Sequence, residues 1–439
     1  MRIPRYLMVP ALWLYLGPPA WRPVAGRSAM DSLAGNFDVW NFVRIGWWGV
    51  VGLVALAMIY HLRTHLKEFV RSLPLLAFWT LVWVGSLVAS AAYSPSWAFT
   101  LANAIVMTVL VVAGLQLALS LHAGATILSD VLASLYGFSL MLMAFVWLTY
   151  LVDPTLVTAY QWTGPRVMGN FVAEMSFVSV VTFFLAAHAA ARSRGSARWF
   201  HGVVMAASVA ALLATQTRTA YLSLGLGGAY MFLQWFTAAS NRARVGAIAV
   251  IAVVIGLSPL ALEALDASTG ASTLDGAIAY LLRDDLSWRT ASGRTAIAGV
   301  LMNDVLERPW GLGYSAGPRV LLLTSHQELI EGSVHAESIG NAHNVFLEVL
   351  GGSGLVGLFA FTVVLAWVAV VMHSVRHPGL VPVRVLVLCF VLAGMTGSNG
   401  VLPFYQSSAL LWILVGAVAG VASARGRPQR VHDANSVGA

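Results

Sequence analysis

One short stretch of the chain combines a titratable group with the start of an apolar run: residues 341–361, NAHNVFLEVLGGSGLVGLFAF. His343 stands at the beginning of this run, and near neutral pH an imidazole can take a proton from an attacking hydroxyl. Asn344 and Glu348 are four residues apart, so they can brace one another on one face of the following helix. The stretch therefore offers either a general base at a membrane surface or a polar residue that marks where a helix begins.

Four arginines in the polar segments between apolar runs offer a complementary chemistry. They are Arg166 in GPRVMGN, Arg218 in TQTRTAYL, Arg294 in SGRTAIAG, and Arg319. Guanidinium groups keep their charge and bind phosphate oxygens in bidentate fashion, which suits a diphosphate that is held and then released as a leaving group. Each arginine alone is equally consistent with pairing to a lipid headgroup phosphate. Several of them on one side of a membrane favour a shared anion.

A metal site is a weaker interpretation of the same region. His335 and His343 are eight residues apart, and Glu337 and Glu348 are nearby in the sequence. These four residues do not have a ligand spacing known from metal sites. We therefore expect no metal ion.

Two glycine-rich segments invite other interpretations. GGSG at 351–354 resembles the Gly-x-Ser-Gly of rhomboid intramembrane proteases, but no later apolar run offers a clear partner histidine. GLGYSAG at 311–317 lacks the strand-turn-helix context of a nucleotide-binding loop and predicts a turn. The glycines of the first segment, together with Gly357, are interpreted as packing residues that let another helix or a lipid chain approach closely.

The elements that position these residues are apolar runs. The chain of 439 residues is 59% hydrophobic and 10% charged, with a mean hydropathy of +0.78, whereas soluble domains carry about a quarter charged residues. Its formal net charge of +7 comes almost entirely from arginine, because Lys67 is the only lysine. No basic stripe with interleaved aromatic residues indicates a nucleic-acid partner. The single cysteine, Cys389, lies in an apolar run and is interpreted as a packing residue.

The composition predicts an all-α polytopic membrane protein with about twelve transmembrane helices, each of about 20 apolar residues. The candidate runs are 6–21, 40–60, 73–92, 97–119, 127–151, 170–191, 201–215, 219–237, 245–262, 345–372, 381–398 and 405–423. These runs divide the chain into nine transmembrane helices in 1–262, a large loop region at 263–342, three helices in 343–423 and a tail at 424–439. Within the loop, the apolar spacing near 294–306 predicts a short helix on or above the membrane.

The distribution of basic residues predicts the orientation. With both ends of the chain inside, four of the five internal cytoplasmic loops carry arginine or lysine, and the loop near 120–126 is the exception. This orientation places 153–169, the corner at 215–219 and the large loop on the outer face. Arg166, Arg218, Arg294 and His343 are then expected on the same side of the membrane.

Together these segments resemble the O-antigen ligase and polymerase superfamily of bacterial envelope glycosyltransferases. The resemblance covers roughly residues 164–357, and two patterns favour the ligase branch. Arg218 and Leu222 match its Arg-x3-Leu pattern. His343 and Asn344, followed after nine residues by a Gly-x-x-Gly formed by Gly354 and Gly357, match its second and more specific pattern.

The resemblance implies a function at the periplasmic face of the bacterial inner membrane. The donor is expected to be a glycan linked to undecaprenyl diphosphate, the acceptor lipid A-core or another glycan, and the surroundings membrane lipids. Arg218 and Arg294 are expected to hold the diphosphate with help from Arg166. His343 is expected to act as general base while the anomeric carbon inverts. His335 is the nearest other histidine, and neither a nucleotide nor a metal cofactor is expected.

Two alternatives remain open from the sequence. A polymerase would transfer the glycan to another lipid-linked repeat unit of O-antigen or exopolysaccharide instead of lipid A-core. A transporter of lipid-linked glycans belongs to another class, and it would show polar or charged residues deep in several spans. Most of the apolar runs carry no charge between their ends, which favours chemistry at the outer face.

Overall fold

The computed structural model describes residues 11, 13–14, 39–152, 158–161, 164–167, 172–215, 218–238, 294–322, 342, 344–375, 377, 379–396 and 406–424. The helices of its first part are α1 (Val39–His61), α2 (Arg63–Ser72), α3 (Pro74–Ala89), α4 (Trp97–His122) and α5 (Leu128–Val152). A hairpin of β1 (Thr158–Gln161) and β2 (Gly164–Val167) follows. The later helices are α6 (Val172–Arg192), α7 (Ser196–Thr215), α8 (Arg218–Ala238), α9 (Arg294–Glu307), α10 (Gly317–Val320), α11 (Val345–Ser374), α12 (Leu380–Thr396) and α13 (Gln406–Ala424).

The predicted helical architecture is confirmed for the described ranges. Seven helices there are long and apolar enough to cross a membrane, and an eighth span results if the bent pair α1 and α2 counts as one. Ten of the twelve predicted apolar runs coincide with helices, whereas the runs 6–21 and 245–262 lie outside the described residues except for residues 11, 13 and 14. The protein is therefore a multi-pass membrane protein, and the total of twelve spans stays a prediction.

The hairpin between α5 and α6 is an element that the sequence did not predict. β1 and β2 pair antiparallel, with Ala159 opposite Arg166. The segment between the two helices contains Gly164 and Pro165, which disfavour a helix. The predicted helix at 294–306 is present as α9.

The centre of the bundle is the close contact between α4 and α13. A Cβ atom on Gly114 would overlap the backbone oxygen of Trp412, and one on Gly416 would overlap the backbone of Gly114. These glycines let the two helix backbones approach closely, which is how helices pack where water supplies little driving force. The ring of Trp412 stacks on that of Trp83 in α3 at a centroid distance of 5.1 Å, and Phe361 of α11 lies 5.4 Å from Trp83 on another side. Helices α3, α4, α11 and α13 thus share one apolar core.

Helix α11 is broken at Gly354. Its φ of 70° and ψ of −166° are non-helical, and a Cβ atom there would overlap the backbone of Pro309 and Trp310. The backbone conformation is one that is essentially restricted to glycine. Val345–Ser353 and Leu355–Ser374 are therefore two helical halves joined at one residue.

Residues 308–316, which follow α9 and which we call the strap, supply hydrogen-bond partners to this break. The N–H groups of Leu312 and Gly313 donate to the carbonyl oxygens of Gly351 and Gly352 at 2.9 and 2.8 Å. In return, Leu355 N–H donates to the carbonyl oxygen of Pro309 at 2.8 Å. The strap therefore satisfies carbonyls at the end of the first half and an N–H at the start of the second, groups that a helix break leaves unpaired.

Several helix ends share one side of the molecule. Helices α6, α7 and α8 follow each other through short corners, and the Tyr221 hydroxyl of α8 donates to the carbonyl oxygen of Leu213 near the end of α7 at 3.3 Å. Phe177, near the start of α6, contacts Phe390, near the end of α12, at a centroid distance of 5.5 Å. The start of α8 and the end of α12 therefore lie on the same side, which we call the site side.

Candidate functional site

The start of α11 is fixed by Asn344, which is its N-cap. The Asn344 side-chain oxygen accepts hydrogen bonds from the backbone N–H groups of Phe346 at 2.9 Å and Leu347 at 3.2 Å. Its side-chain nitrogen donates to the carbonyl oxygen of Met395, near the end of α12, at 2.9 Å. One side chain thus satisfies free N–H groups of a helix start and ties two helix ends together.

Glu348 holds the backbone on the other flank of position 343. Its Oε2 accepts the N–H of Ala342 at 2.8 Å, and both residues are buried, with 0% and 1% of their surfaces exposed. The carboxylate reaches back from the first turn of α11 in the manner of a capping box, although it bonds a residue two positions before the N-cap. Asn344 and Glu348, which we expected to brace one another, each bond backbone around residue 343. His343 and His335 themselves lie outside the described residues.

The start of α9, at Arg294, lies beside this segment. Ile297, one turn after Arg294, belongs to a small buried cluster that also contains Leu301 and Ala342. Leu301 in turn lies 3.2 Å from the position that a Cβ atom on Gly351 would occupy. Helix α9 is therefore packed along the first half of α11, with its first turn near the residue that precedes His343.

The start of α8, at Arg218, reaches the same neighbourhood through α12. Ser223 of α8 and Cys389 of α12 exchange hydrogen bonds, from each side chain to the carbonyl oxygen of the other residue, at 3.4 and 3.2 Å. Arg218 precedes this contact by about one and a half turns and the end of α12 follows it by about two. Because Asn344 binds the end of α12, the starts of α8 and α11 are neighbours on the site side.

Arg166 is the least closely connected of the predicted arginines. It lies in β2, which precedes α6 and contacts α7, so its strand is on the site side as well. The backbones at 166, 218 and 294 are described, whereas the side chains of these arginines are not. The side chain of Arg319, by contrast, is described and lies over an aromatic ring. Its guanidinium carbon is 5.4 Å from the ring centroid of Phe99 in α4.

Tyr314 is a buried polar residue of this region that the sequence did not single out. It lies in the strap with none of its surface exposed, and its backbone N–H donates to the Ser90 hydroxyl at 2.9 Å. Burial raises the pKa of the Tyr314 hydroxyl well above its usual value, the charge of Glu348 raises it further, and Arg319 acts in the opposite direction. The hydroxyl is therefore neutral at physiological pH. The glycine clusters at 311–317 and 351–354 are the sequence signal that could have indicated that the strap lies against the backbone of α11.

The serine of GGSG has the environment of a packing residue. The Ser353 hydroxyl donates to the carbonyl oxygen of Val349 within its own helix at 3.0 Å, and the residue is buried. Gly357, four residues on, faces α3, because a Cβ atom there would lie 3.0 Å from the Ser86 hydroxyl. The arrangement gives no support to a protease nucleophile. The interpretation of the glycines as packing residues holds for Gly357 but is incomplete for Gly354, which breaks the helix.

Within the described ranges, no three His, Cys, Asp or Glu side chains are grouped so that they could hold a metal ion. The polar groups that do gather on the site side are helix starts and the backbone-binding side chains of Asn344 and Glu348. Such an arrangement suits the binding of an anion, because the N–H groups and the macrodipole of a helix start favour negative charge.

Comparison with known families finds a match to part of the chain. A family model described as O-antigen ligase matches residues 203–362. This match supports the O-antigen ligase and polymerase superfamily for the region that it covers. The matched region begins within α7 and ends within α11, so that it contains the starts of α8, α9 and α11 as well as the strap. No curated protein matches the chain.

Proposed function

We propose that the protein is an inverting glycosyltransferase of the O-antigen ligase type. It moves a glycan from undecaprenyl diphosphate to a hydroxyl of lipid A-core at the periplasmic face of the inner membrane. The observation that supports this proposal is the gathering of the starts of α8, α9 and α11 on one side of the molecule, all within the matched region. Arg218 and Arg294 are the first residues of α8 and α9, and His343 precedes α11 in the sequence. These are the residue types that the proposed reaction needs.

The arginines hold the diphosphate of the donor. Arg218 and Arg294 bind its oxygens, and Arg166 assists from the hairpin. When the bond between the anomeric carbon and the diphosphate oxygen breaks, negative charge develops on the leaving group. Permanently charged guanidinium groups and the helix starts that carry them stabilise this charge. The reaction therefore proceeds without a metal cofactor or a nucleotide.

His343 activates the acceptor. Its imidazole takes the proton from the acceptor hydroxyl while the hydroxyl oxygen attacks the anomeric carbon on the face opposite the diphosphate, which inverts that carbon. Asn344 and Glu348 are positioning residues, because they hold the backbone on the two flanks of position 343. His335 is a supporting residue in the preceding loop.

The decisive experiment is a reaction of the purified protein with a defined lipid-linked glycan, with lipid A-core in one tube and without it in another. Glycan attached to lipid A-core, only where that acceptor is present, is the expected result. Longer lipid-linked chains in either tube would instead identify a polymerase. Movement of the donor across liposomes without any transfer would identify a transporter.

Two variants test the assigned roles in the same assay. His343→Ala and Arg218→Ala should each abolish transfer, while Arg198→Ala, an exposed arginine at the start of α7, should leave it unchanged. All three should show the elution profile of the folded wild type. Full activity of both site variants would refute the mechanism, and loss of wild-type activity in EDTA would refute its independence of metal ions.

A further inference from the structure

Helix α2 lies across the ends of two spanning helices. It follows α1 after Leu62 and is bent by 90° from it, and α3 begins at Pro74, directly after Leu73. Because α1 ends and α3 begins on the same side of the membrane, α2 runs along the membrane surface between them. This surface is opposite the site side, since α3 ends next to Ser90, which binds the strap through Tyr314.

The two faces of α2 differ in character. Leu62, Phe69 and Leu73 are buried in the core, and the ring of Phe69 packs edge-on against the ring of His122. The opposite face carries three basic residues with exposed side chains at a spacing of four: Arg63, Lys67 and Arg71. A helix with this pattern rests at the boundary between hydrocarbon and water, with its basic face toward the headgroups.

Exposed apolar side chains on the neighbouring helices show where the hydrocarbon lies. Leu56 of α1 and Leu75 and Phe78 of α3 are each more than half exposed, close to where these helices meet α2. Such surfaces are stable only against lipid chains. The basic face of α2 is therefore at the depth of the lipid phosphates.

The charge of this face is available to a ligand. None of Arg63, Lys67 and Arg71 forms an ion pair with any residue of the described ranges. Glu68, which is the acid of α2, lies 4.0 Å from the His122 imidazole. Arg63 is preoriented, because its guanidinium carbon lies 4.2 Å above the ring centroid of Tyr60 and it donates to the Tyr60 carbonyl oxygen at 3.1 Å.

We propose that Arg63, Lys67 and Arg71, together with Tyr60, form a binding site for the headgroups of anionic phospholipids in the leaflet opposite the site. The three cations along one face match the phosphates of neighbouring anionic lipids, and the exposed tyrosine ring lies at the headgroup level. The site anchors the corner between α1 and α3 and is independent of the transfer reaction.

The test uses the full-length protein in nanodiscs of phosphatidylcholine with one-fifth phosphatidylglycerol, and it counts retained lipids by native mass spectrometry. The triple variant Arg63→Gln, Lys67→Gln and Arg71→Gln should lower the affinity for phosphatidylglycerol by about fivefold or more, because three headgroup contacts of one site are lost together. The matched control is the triple glutamine variant of Arg192, Arg194 and Arg198, which are exposed at the corner between α6 and α7 on the same side.

The control separates a defined site from a general charge effect. Retention by the control should stay within about twofold of wild type, and Arg71→Lys should keep retention intact, because the charge at that position remains. Equal losses in both glutamine triples, or wild-type retention in the α2 triple, would overturn the proposal. If the α2 triple does not fold, Glu68→Gln provides a second test. This variant makes the basic face of α2 more positive and should raise the retention of phosphatidylglycerol. Unchanged retention would count against the site.

Discussion

Glu348 illustrates how one buried carboxylate can order a polypeptide segment that carries a proposed base. Its hydrogen bond to Ala342 N–H and the N-cap bonds of Asn344 enclose position 343 from both sides. A buried N–H without a partner costs about 1–3 kcal/mol, so the segment has a strong preference for this arrangement. Orientation of the base therefore depends on residues that need not touch the substrate.

Substitution of Glu348 should separate the hydrogen bond from the charge. Glu348→Ala removes the acceptor of Ala342 N–H, and we expect transfer to fall about 5- to 150-fold, as the loss of about 1–3 kcal/mol of ordering energy implies. Glu348→Gln keeps an oxygen acceptor and should retain more activity than the alanine variant. Initial rates at saturating donor and acceptor provide the measurement, and equal rates for the two variants would show that the acceptor is not what matters.

Asn344 has two roles that a pair of variants can distinguish. Asn344→Asp keeps the N-cap acceptor but loses the donor to the Met395 carbonyl oxygen, whereas Asn344→Ala loses both. We expect the alanine variant to lose about 1 kcal/mol from the cap alone. Thermal unfolding in detergent measures this loss. A higher midpoint for the alanine variant than for the aspartate variant would contradict the assignment of the cap.

At the level of single residues, the sequence identified the types that the site needs but not their contacts. His343, Arg218 and Arg294 were predicted from charge and pattern, and the elements that carry the two arginines do converge around the start of α11. The sequence spacing of four residues suggested a contact between Glu348 and Asn344. The hydrogen bond from Ala342 N–H to Glu348 joins residues six apart, and that spacing gave no indication of it. Tyr314 was missed because a buried tyrosine within a turn carries no periodic signal.

At the level of elements, the break in α11 distinguishes this helix from an ordinary span. A run of about 30 apolar residues predicts one long helix, and a glycine cluster within it is equally typical of helix packing. Which of the two applies depends on the strap, which is about 40 residues earlier in the chain. Local sequence therefore predicts the helix, and only the tertiary contact decides that it is broken.

Gly354 should tolerate no side chain. Gly354→Ala forces an unfavourable backbone conformation, which costs about 1–3 kcal/mol, and its methyl group overlaps the backbone of the strap. We expect a lower unfolding midpoint and a strap that becomes accessible to protease between Arg308 and Tyr314. Gly85→Ala in α3 is the matched control, because a Cβ atom there meets nothing within 4 Å. Similar stability of the two variants would show that the break is not required.

At the level of the whole molecule, apolar runs predicted ten helices of the described ranges, whereas the polar helix α2 and the short helix α10 did not follow from them. Hydrocarbon requires that backbone groups bond within the chain, so an apolar run of sufficient length has almost no alternative to a helix. The arrangement of the helices was not predictable in this way. The contact between α4 and α13 depends on Gly114 and Gly416, which resemble the many other glycines of the chain in sequence.

The orientation of the bundle can be tested with single cysteines, because Cys389 is fully buried and should not react. Glu307→Cys places a thiol at the end of α9, and Arg194→Cys places one at the corner between α6 and α7. In sealed right-side-out vesicles we expect a membrane-impermeant maleimide to label position 307 at once and position 194 only after lysis. The reverse pattern would place the proposed site in the cytoplasm, and labelling of both positions before lysis would refute their placement on opposite sides.

The break at Gly354 also separates two roles within α11. The second half, Leu355–Ser374, is about 20 residues long, which at about 1.5 Å per residue already crosses about 30 Å of hydrocarbon. Val345–Ser353 is therefore not needed to span the bilayer. The membrane anchor and the proposed chemistry therefore lie in separate stretches of one helix. Sequence changes beside the proposed site could then alter the proposed acceptor preference without affecting membrane insertion.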